Sequence, residues 1–249
     1  MAKLAKKVAV ITGGSSGIGL ITAQTFVEHG ARVAIFGRDQ KALDSAAASL
    51  GNAAIAVQGD VTKAADLERL FQKTAETFGK VDIVFANAGA VQFRPIEHAD
   101  EEFFDRLMNV NAKGAFLTAR AAMAHLNPGA SIIFNSSLLA TKGFANCAVY
   151  SAAKGAVSGM MRSLAAELIP KGIRVNAVSP GPIETPIYGK LELPKEMVEG
   201  LGQTLAAASP VKRFGTGQEV ANAVAFLASP ESSYVVGTEL AVDGGMGPL

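Results

Sequence analysis

A chain of 249 residues, 49% of them hydrophobic, is long enough to bury a full α/β core, and one domain over residues 1 to 249 is expected. With 23 Lys plus Arg against 22 Asp plus Glu, a net charge of +1 leaves no basic footprint for nucleic acid or an anionic membrane surface. The single cysteine, Cys147, excludes an intrachain disulfide, and His29, His98 and His125 share no ligand spacing that would point to a metal.

Met1 to Lys7 is basic, but the apolar run Val8 to Ile11 is too short for a signal-peptide core and no stretch reaches membrane-spanning length, so a cytoplasmic location is expected. Short β-branched runs then alternate with longer amphipathic ones, which predicts a three-layer α/β sandwich: a parallel sheet of about seven strands with helices on both faces. The strands are expected at Val8 to Thr12, Arg32 to Phe36, Ala53 to Gln58, Val81 to Ala86, Ser131 to Asn135, Arg174 to Ser179 and Glu239 to Val242. Most are continuously apolar, as strands covered on both faces are. Helical periodicity covers Gly17 to His29, Lys41 to Leu50, Ala64 to Phe78, Glu101 to Leu126, Ala148 to Ile169 and Gln218 to Ala228. The irregular interval is Pro180 to Pro210, where prolines and glycines surround a weak amphipathic piece, Lys195 to Leu205. It reads as a substrate flap centred on 186 to 208.

The first strand runs into Thr12-Gly-Gly-Ser-Ser-Gly-Ile-Gly19. Glycines at a strand-to-helix turn let backbone N–H groups approach a phosphate at the positive end of the helix. Gly13, Gly17 and Gly19 are not spaced as G-x-G-x-x-G, and the Gly-Lys-Ser/Thr ending of a P-loop is missing, which argues against phosphoryl transfer. After the second strand, where a carboxylate would hold the ribose hydroxyls of NAD, stand Gly37 and Arg38. An arginine there can pair with a 2′-phosphate, so NADP is favoured over NAD. Asp39 complicates that choice unless it caps the next helix.

Tyr150-Ser-Ala-Ala-Lys154 places a phenol and an ammonium at i and i+4 of a helix, on one face. A phenol ionises near 10, too high for proton transfer at neutrality until a neighbouring cation favours the phenolate, and Lys154 can be that cation. The alternative is a half-buried aromatic beside a solvated lysine. Cys147, close by, reads as a packing residue rather than a nucleophile.

Thr12 to Gly19, Asn87-Ala-Gly89, Asn111, Ser137, Tyr150-x-x-x-Lys154 and Pro180-Gly181 stand in the order and spacing seen in classical short-chain dehydrogenases/reductases. The chain resembles that family over its whole length, and within it the NADP-dependent ketone and secondary-alcohol enzymes. The resemblance implies a Rossmann-like fold and a set of roles. Tyr150 would be the acid in reduction and the base in oxidation, and Ser137 rather than Ser136 would hold the carbonyl oxygen. Lys154 would also bind the nicotinamide ribose, and Asn111, midway along its helix, would help hold a water joining the lysine to solvent. Read without the resemblance, Asn111 is a polar surface residue. Gly13, Ser15, Ser16, Gly17, Ile18 and Gly19 would take the pyrophosphate. Asp60 and the Val61 backbone would meet the adenine, the plainer reading of Asp60 being a helix N-cap ahead of Thr62. Asn87, Ala88 and Gly89 would line the cofactor, and Pro180, Gly181, the Ile183 backbone and the Thr185 hydroxyl would orient the carboxamide for transfer of the pro-S hydride. The resemblance also implies a homotetramer, with the helices of Asn111 and Tyr150 and the end from Gly237 onward at interfaces.

The substrate should lie among the loops Ala90 to Glu97, Leu138 to Val149 and Ile187 to Ala208. Val91, Phe93, Leu138, Leu139, Phe144, Ile187, Tyr188 and Leu191 are largely apolar and form no arginine pair for a carboxylate, so a neutral, rather hydrophobic ketone or alcohol is expected. Several of them could equally be core or subunit contacts. Leu139, Phe144 and Tyr188, with Ser137 and Tyr150, are the substrate-binding candidates. A 3-oxoacyl thioester carried on an acidic protein is a further candidate, although Met123 to Phe134 carries no Lys or Arg to dock it. Sugars and steroids stay open, and the alternative of another class is a cofactor-sensing protein without turnover.

Overall fold

The computed structural model describes residues 2–186 and 195–247. Seven strands lie parallel in one sheet: β1 (Val8–Thr12), β2 (Arg32–Gly37), β3 (Ala54–Gln58), β4 (Val81–Ala86), β5 (Leu126–Asn135), β6 (Arg174–Pro180) and β9 (Glu239–Val242). Their order across the sheet is β3-β2-β1-β4-β5-β6-β9. Winding reverses between β1 and β4, so the loops leaving their C-terminal ends diverge and open the crevice where α/β sheets bind ligands.

Alternation along each strand sends side chains to two cores. On one face Val8, Val10, Phe36, Val84 and Phe134 pack under α3 (Ala64–Phe78), α5 (Gly114–Ala122) and α6 (Ala148–Leu168). On the other Ala9, Ile11, Ile35, Phe85 and Ile133 pack under α1 (Gly17–Glu28), α2 (Gln40–Leu50) and α8 (Gly217–Ala228). This double coverage is why β1 is buried at all five positions and reads as an unbroken apolar run.

Three departures from the sequence reading have local causes. The helix expected over Glu101 to Leu126 is three pieces: α4 (Glu101–Met108), a π-turn at Asn109–Lys113, and α5, closed by a 3₁₀ turn at Met123–His125. The Asn111 amide donates to the Leu107 carbonyl at 2.9 Å, and the Gly114 N–H bonds Asn109, five residues back. Strand β5 starts at Leu126, not Ser131, because Leu126 pairs with Val81 before a register shift over Asn127 to Ala130. On either side of the flap expected around 186 to 208, Ile183–Glu184 (β7) pair with Gly215–Thr216 (β8), and within it α7 spans Lys195–Ala208.

Candidate active site

The cradle lies between β1 and α1. Gly13 has a positive φ of 66°, and a Cβ there would sit 2.9 Å from Asn87 Nδ2. A Cβ on Gly19 would collide with the Gly13 carbonyl. Ser15 and Ser16 form the turn, and Ser16 at the N-cap makes no side-chain capping bond, so the first-turn amides around Gly17, Ile18 and Gly19 stay open to an outside acceptor. A backbone cradle with open amides at the positive helix end fits a pyrophosphate. Thr185 follows β7, and a Cβ on Gly17 would lie 3.6 Å from it, so the Pro180–Thr185 segment folds back over the cradle. The β7–β8 pair anchors that return, with Gly181 against Asp243 and Ile183 in the core.

Asn87 ties this loop to the sheet. Its Nδ2 donates to the carbonyls of Thr12 (2.9 Å) and Gly13 (3.3 Å), and Thr12 Oγ1 accepts the N–H groups of Asn87 and Ala88, both at 3.0 Å. Asn135 Nδ2 donates to Asn87 Oδ1 at 2.9 Å, linking the ends of β4 and β5. In the sequence Thr12 stands only as the strand end that opens the glycine-rich motif and Asn135 only as the end of a strand, with no bracing role for either.

Two expectations around the nucleotide resolve into local structure. Asp39 accepts the Ala42 N–H at 3.0 Å as the N-cap of α2, while Arg38 stands exposed beside it. Asp60 is not the N-cap of α3, a position Lys63 holds. It closes a turn onto Thr62, whose N–H and hydroxyl both donate to Asp60 Oδ1 at 2.9 Å. Val61 beside it is buried against Gly114.

Helix α6 forms because Ala148 to Leu168 is rich in Ala, Met and Leu and meets its first proline only at Pro170. It buries Lys154 almost completely, and Nζ donates to the Asn135 carbonyl at 2.7 Å while lying 5.7 Å from the Tyr150 ring centroid. Burial pulls the Lys154 pKa down from 10.5 to about 8, and the Glu239 carboxylate pulls it back up. The solvated-lysine alternative is therefore overturned. Tyr150 packs beside Phe103, Leu107 and Val149. Ser137 follows β5, is buried, and accepts the Leu139 N–H at 3.2 Å, which leaves its own proton free to donate. Ser136 Oγ sits 2.9 Å from Ser158 Oγ, and Ser158 donates to the Lys154 carbonyl at 3.2 Å, so the strand end and the helix are bolted together.

Asn111 is 1% exposed, which overturns the surface reading. Its amide closes on Ala90 in both directions (N–H to Oδ1 3.2 Å, Nδ2 to O 2.9 Å). A Cβ on Gly89 would touch Asn111 Oδ1 at 2.8 Å and Lys154 Nζ at 3.6 Å, so three separate segments meet there. Burial pushes the Cys147 thiol up to about 11, in keeping with packing rather than nucleophilic work.

Of the substrate candidates, Leu139 is half-buried and Phe144 is exposed. Ile187, Tyr188 and Leu191 lie outside the described residues. Phe144 lines a cavity of about 480 Å³ with Pro95, Ile96, Asn146, Ser151 and Arg94. Arg94 was missed because a lone arginine in a loop has no pattern to betray it. Its N–H donates to the Asn146 carbonyl at 2.8 Å, joining the two loops, and its guanidinium lies 4.4 Å from the Phe103 ring centroid.

Among the described residues no helix is long and apolar enough to cross a membrane. Residues 13–247 match a family model described as enoyl-(acyl carrier protein) reductase. The oxidoreductase asL5 of Sarocladium schorii is 41% identical over 99% of this chain and 98% of its own length. A short-chain dehydrogenase/reductase (glucose/ribitol dehydrogenase) from Brucella melitensis superposes with a TM-score of 0.92 at 34% identity, covering 98% of each chain. A 3-ketoacyl-(acyl-carrier-protein) reductase of the same organism, complexed with NADH, gives 0.90 at 35% identity over 98% of this chain and 99% of that one. A crevice built at the switch point of a Rossmann-like sheet, with relatives aligned end to end, makes this chain an NAD(P)-dependent oxidoreductase of the classical short-chain dehydrogenase/reductase family.

Proposed function

We propose that the chain is an NADP-dependent oxidoreductase that moves a hydride reversibly between the nicotinamide and a neutral, rather hydrophobic ketone or secondary alcohol. The observation that carries this reading is the buried ammonium of Lys154, fixed on the Asn135 carbonyl beside the Tyr150 ring. A cation held there lowers the cost of ionising the phenol, which suits Tyr150 to give its proton to a carbonyl oxygen in reduction and take it back in oxidation. Ser137 donates to the same oxygen and stabilises charge developing on it. When bound, the cofactor would supply the hydride as NADPH in reduction and accept it as NADP+ in oxidation. Gly13, Ser15, Ser16, Gly17, Ile18 and Gly19 hold its pyrophosphate, and Asp60 and Val61 flank the adenine. Asn87, Ala88, Gly89, Pro180, Gly181, Ile183 and Thr185 hold the nicotinamide half. Arg38 pairs with the 2′-phosphate, and the engagement of Asp39 as a helix cap supports that choice. The bonding of Asn111 to Ala90 and Leu107 suits a part in fixing the loop beside Lys154.

The substrate body occupies the side of the crevice near Leu139 and Phe144. The relative that reduces 3-ketoacyl groups on a carrier protein supports a thioester as the second reading. A cytoplasmic homotetramer is the form in which we expect the enzyme to work. Mixing the protein with NADPH or NADH and a panel of aryl, alicyclic and bulky ketones, and following loss of reduced-cofactor absorbance, tests the reading. Tyr150→Phe should abolish turnover, and a variant as fast as wild type refutes the acid assignment.

A further inference from the structure

We propose that Glu239, on the edge strand β9, is a positioning residue for the reaction: its carboxylate stabilises the ammonium form of Lys154 from across α6. Register fixes its direction. Glu239 pairs with Ala177 of β6, and Ala177 belongs to the core under α6 with Val157, Met161 and Ala165. Leu240, the next residue, joins the opposite core, so Glu239 points to the α6 side. Two residues earlier a Cβ on Gly237 would lie 3.6 Å from Ala165, which puts the start of β9 directly beneath this helix.

One carboxylate oxygen of Glu239, Oε1, is buried and accepts no hydrogen bond. A buried acceptor without a donor costs stability and calls for a compensating role. Interaction with a buried cation provides one, because Coulomb attraction through a poorly screening interior acts without contact. Lys154 needs such a partner. From its own helix it faces Tyr150, from β5 the Asn135 carbonyl, and from the neighbouring loop and turn Gly89 and the neutral Asn111. Among the described residues the charged side chain acting on it is Glu239, which opposes the desolvation that would strip its proton. Without that carboxylate the lysine would lose its charge at lower pH, and with it the means of favouring the Tyr150 phenolate.

This proposal rests on the acid/base reading of Tyr150 and Lys154. The experiment measures kcat/KM from pH 6 to 10 with saturating cofactor and the best ketone of the panel, for wild type, Glu239→Gln and Glu239→Asp. Glu239→Gln should move the basic limb down by about half a unit to one unit and leave the rate near pH 6.5 within about twofold of wild type. Glu239→Asp, which keeps the charge, should hold the limb close to the wild-type position. Coincident limbs for wild type and Glu239→Gln overturn the proposal, as does an equal loss at every pH in both variants. If Glu239→Gln does not fold, Glu239→Leu, apolar and of similar volume, carries the same expectation and the same refutation. Tyr150→Phe is assayed alongside. If it stays active, the acid/base reading itself falls, whereas if it is dead and the limbs coincide, only the role of Glu239 falls.

Discussion

Lys154 Nζ and the carbonyl oxygen of Asn135 are 2.7 Å apart, in a place almost sealed from water. The carbonyl sits two residues before Ser137, so one hydrogen bond ties the helix of Tyr150 to the strand end that presents the other candidate catalytic hydroxyl. The fold holds a cation where hydration cannot help it, and the hydrogen bond to the Asn135 carbonyl offsets part of that cost.

That cost is measurable. Lys154 ordinarily ionises at 10.5 and here at about 8, so the unfolded chain binds the proton more tightly than the folded one. The destabilisation is full below about pH 8, shrinks as pH rises toward 10.5 and vanishes above it. Lys154→Met should therefore raise the stability of cofactor-free protein at pH 7 by about 1–3 kcal/mol, with the gain fading between pH 8 and 10.5. The same variant should lose about 10²–10⁴-fold in kcat/KM. A melting series across pH checks the first part, and a stability difference that ignores pH would contradict it.

Asn111 should show the opposite balance. Its amide supplies all three bonds that join the π-turn to Ala90 and Leu107, so Asn111→Leu strands the Ala90 N–H and carbonyl and should cost about 2–4 kcal/mol in urea unfolding. Gly89 lies against both Asn111 and Lys154, so kcat should fall at least about tenfold as the loop shifts. Asn111→Asp keeps the acceptor and loses the donors, and should fall between the two.

Such contrasts show what could be read from the chain and what could not. Strand positions were legible because double-sided burial leaves runs such as Val8 to Ile11 without polar interruption. The π-turn was not, because apolar residues keep helical spacing on either side of Asn111 and the interruption is made by a side chain bonding its own backbone. Asn127, Pro128 and Gly129 look like a loop, and only pairing of Leu126 with Val81 across the sheet makes them part of β5. Two-residue strands such as Ile183–Glu184 have no period to detect. Glu239 stands in the sequence only as the first residue of the last strand, since the direction of its side chain depends on which face the strand turns toward α6. The candidate residues at strand ends were legible as motifs, whereas the atoms that brace them, in Thr12, Asn135 and Ser158, depend on distant partners.

The choice of nucleotide can be separated from the fold. Arg38 is exposed, and Asp39 beside it already serves helix α2. Arg38→Asp should weaken NADPH about 10–100-fold and NADH far less, because a charge-assisted pair with the 2′-phosphate is lost and a repulsion gained. Asp39→Ala should cost about 1 kcal/mol of stability and leave the NADPH to NADH preference unchanged. Titrating both nucleotides by fluorescence decides it, and equal weakening of the two by Arg38→Asp would remove the 2′-phosphate argument.

Arg94 tests how the substrate body is held. The Asp100 carboxylate is 3.9 Å away, too far for a hydrogen bond, while the guanidinium lies 4.4 Å from the Phe103 ring centroid and Arg94 lines the cavity with Phe144 and Ile96. Phe103 in turn packs beside Tyr150, so a substrate reaching from the phenol into this cavity would bring its far end toward the arginine. Arg94→Met preserves the length of the stem and removes the donors. Ketones with an oxygen acceptor remote from the reacting carbonyl should then show KM raised about 3–10-fold, the worth of one modest hydrogen bond, with kcat within about twofold. Hydrocarbon ketones of the same size should show no change in KM. An equal rise for both sets would mean that Arg94 supports the Phe103 wall and meets no substrate, because only a direct contact can distinguish a substrate that has the acceptor from one that lacks it.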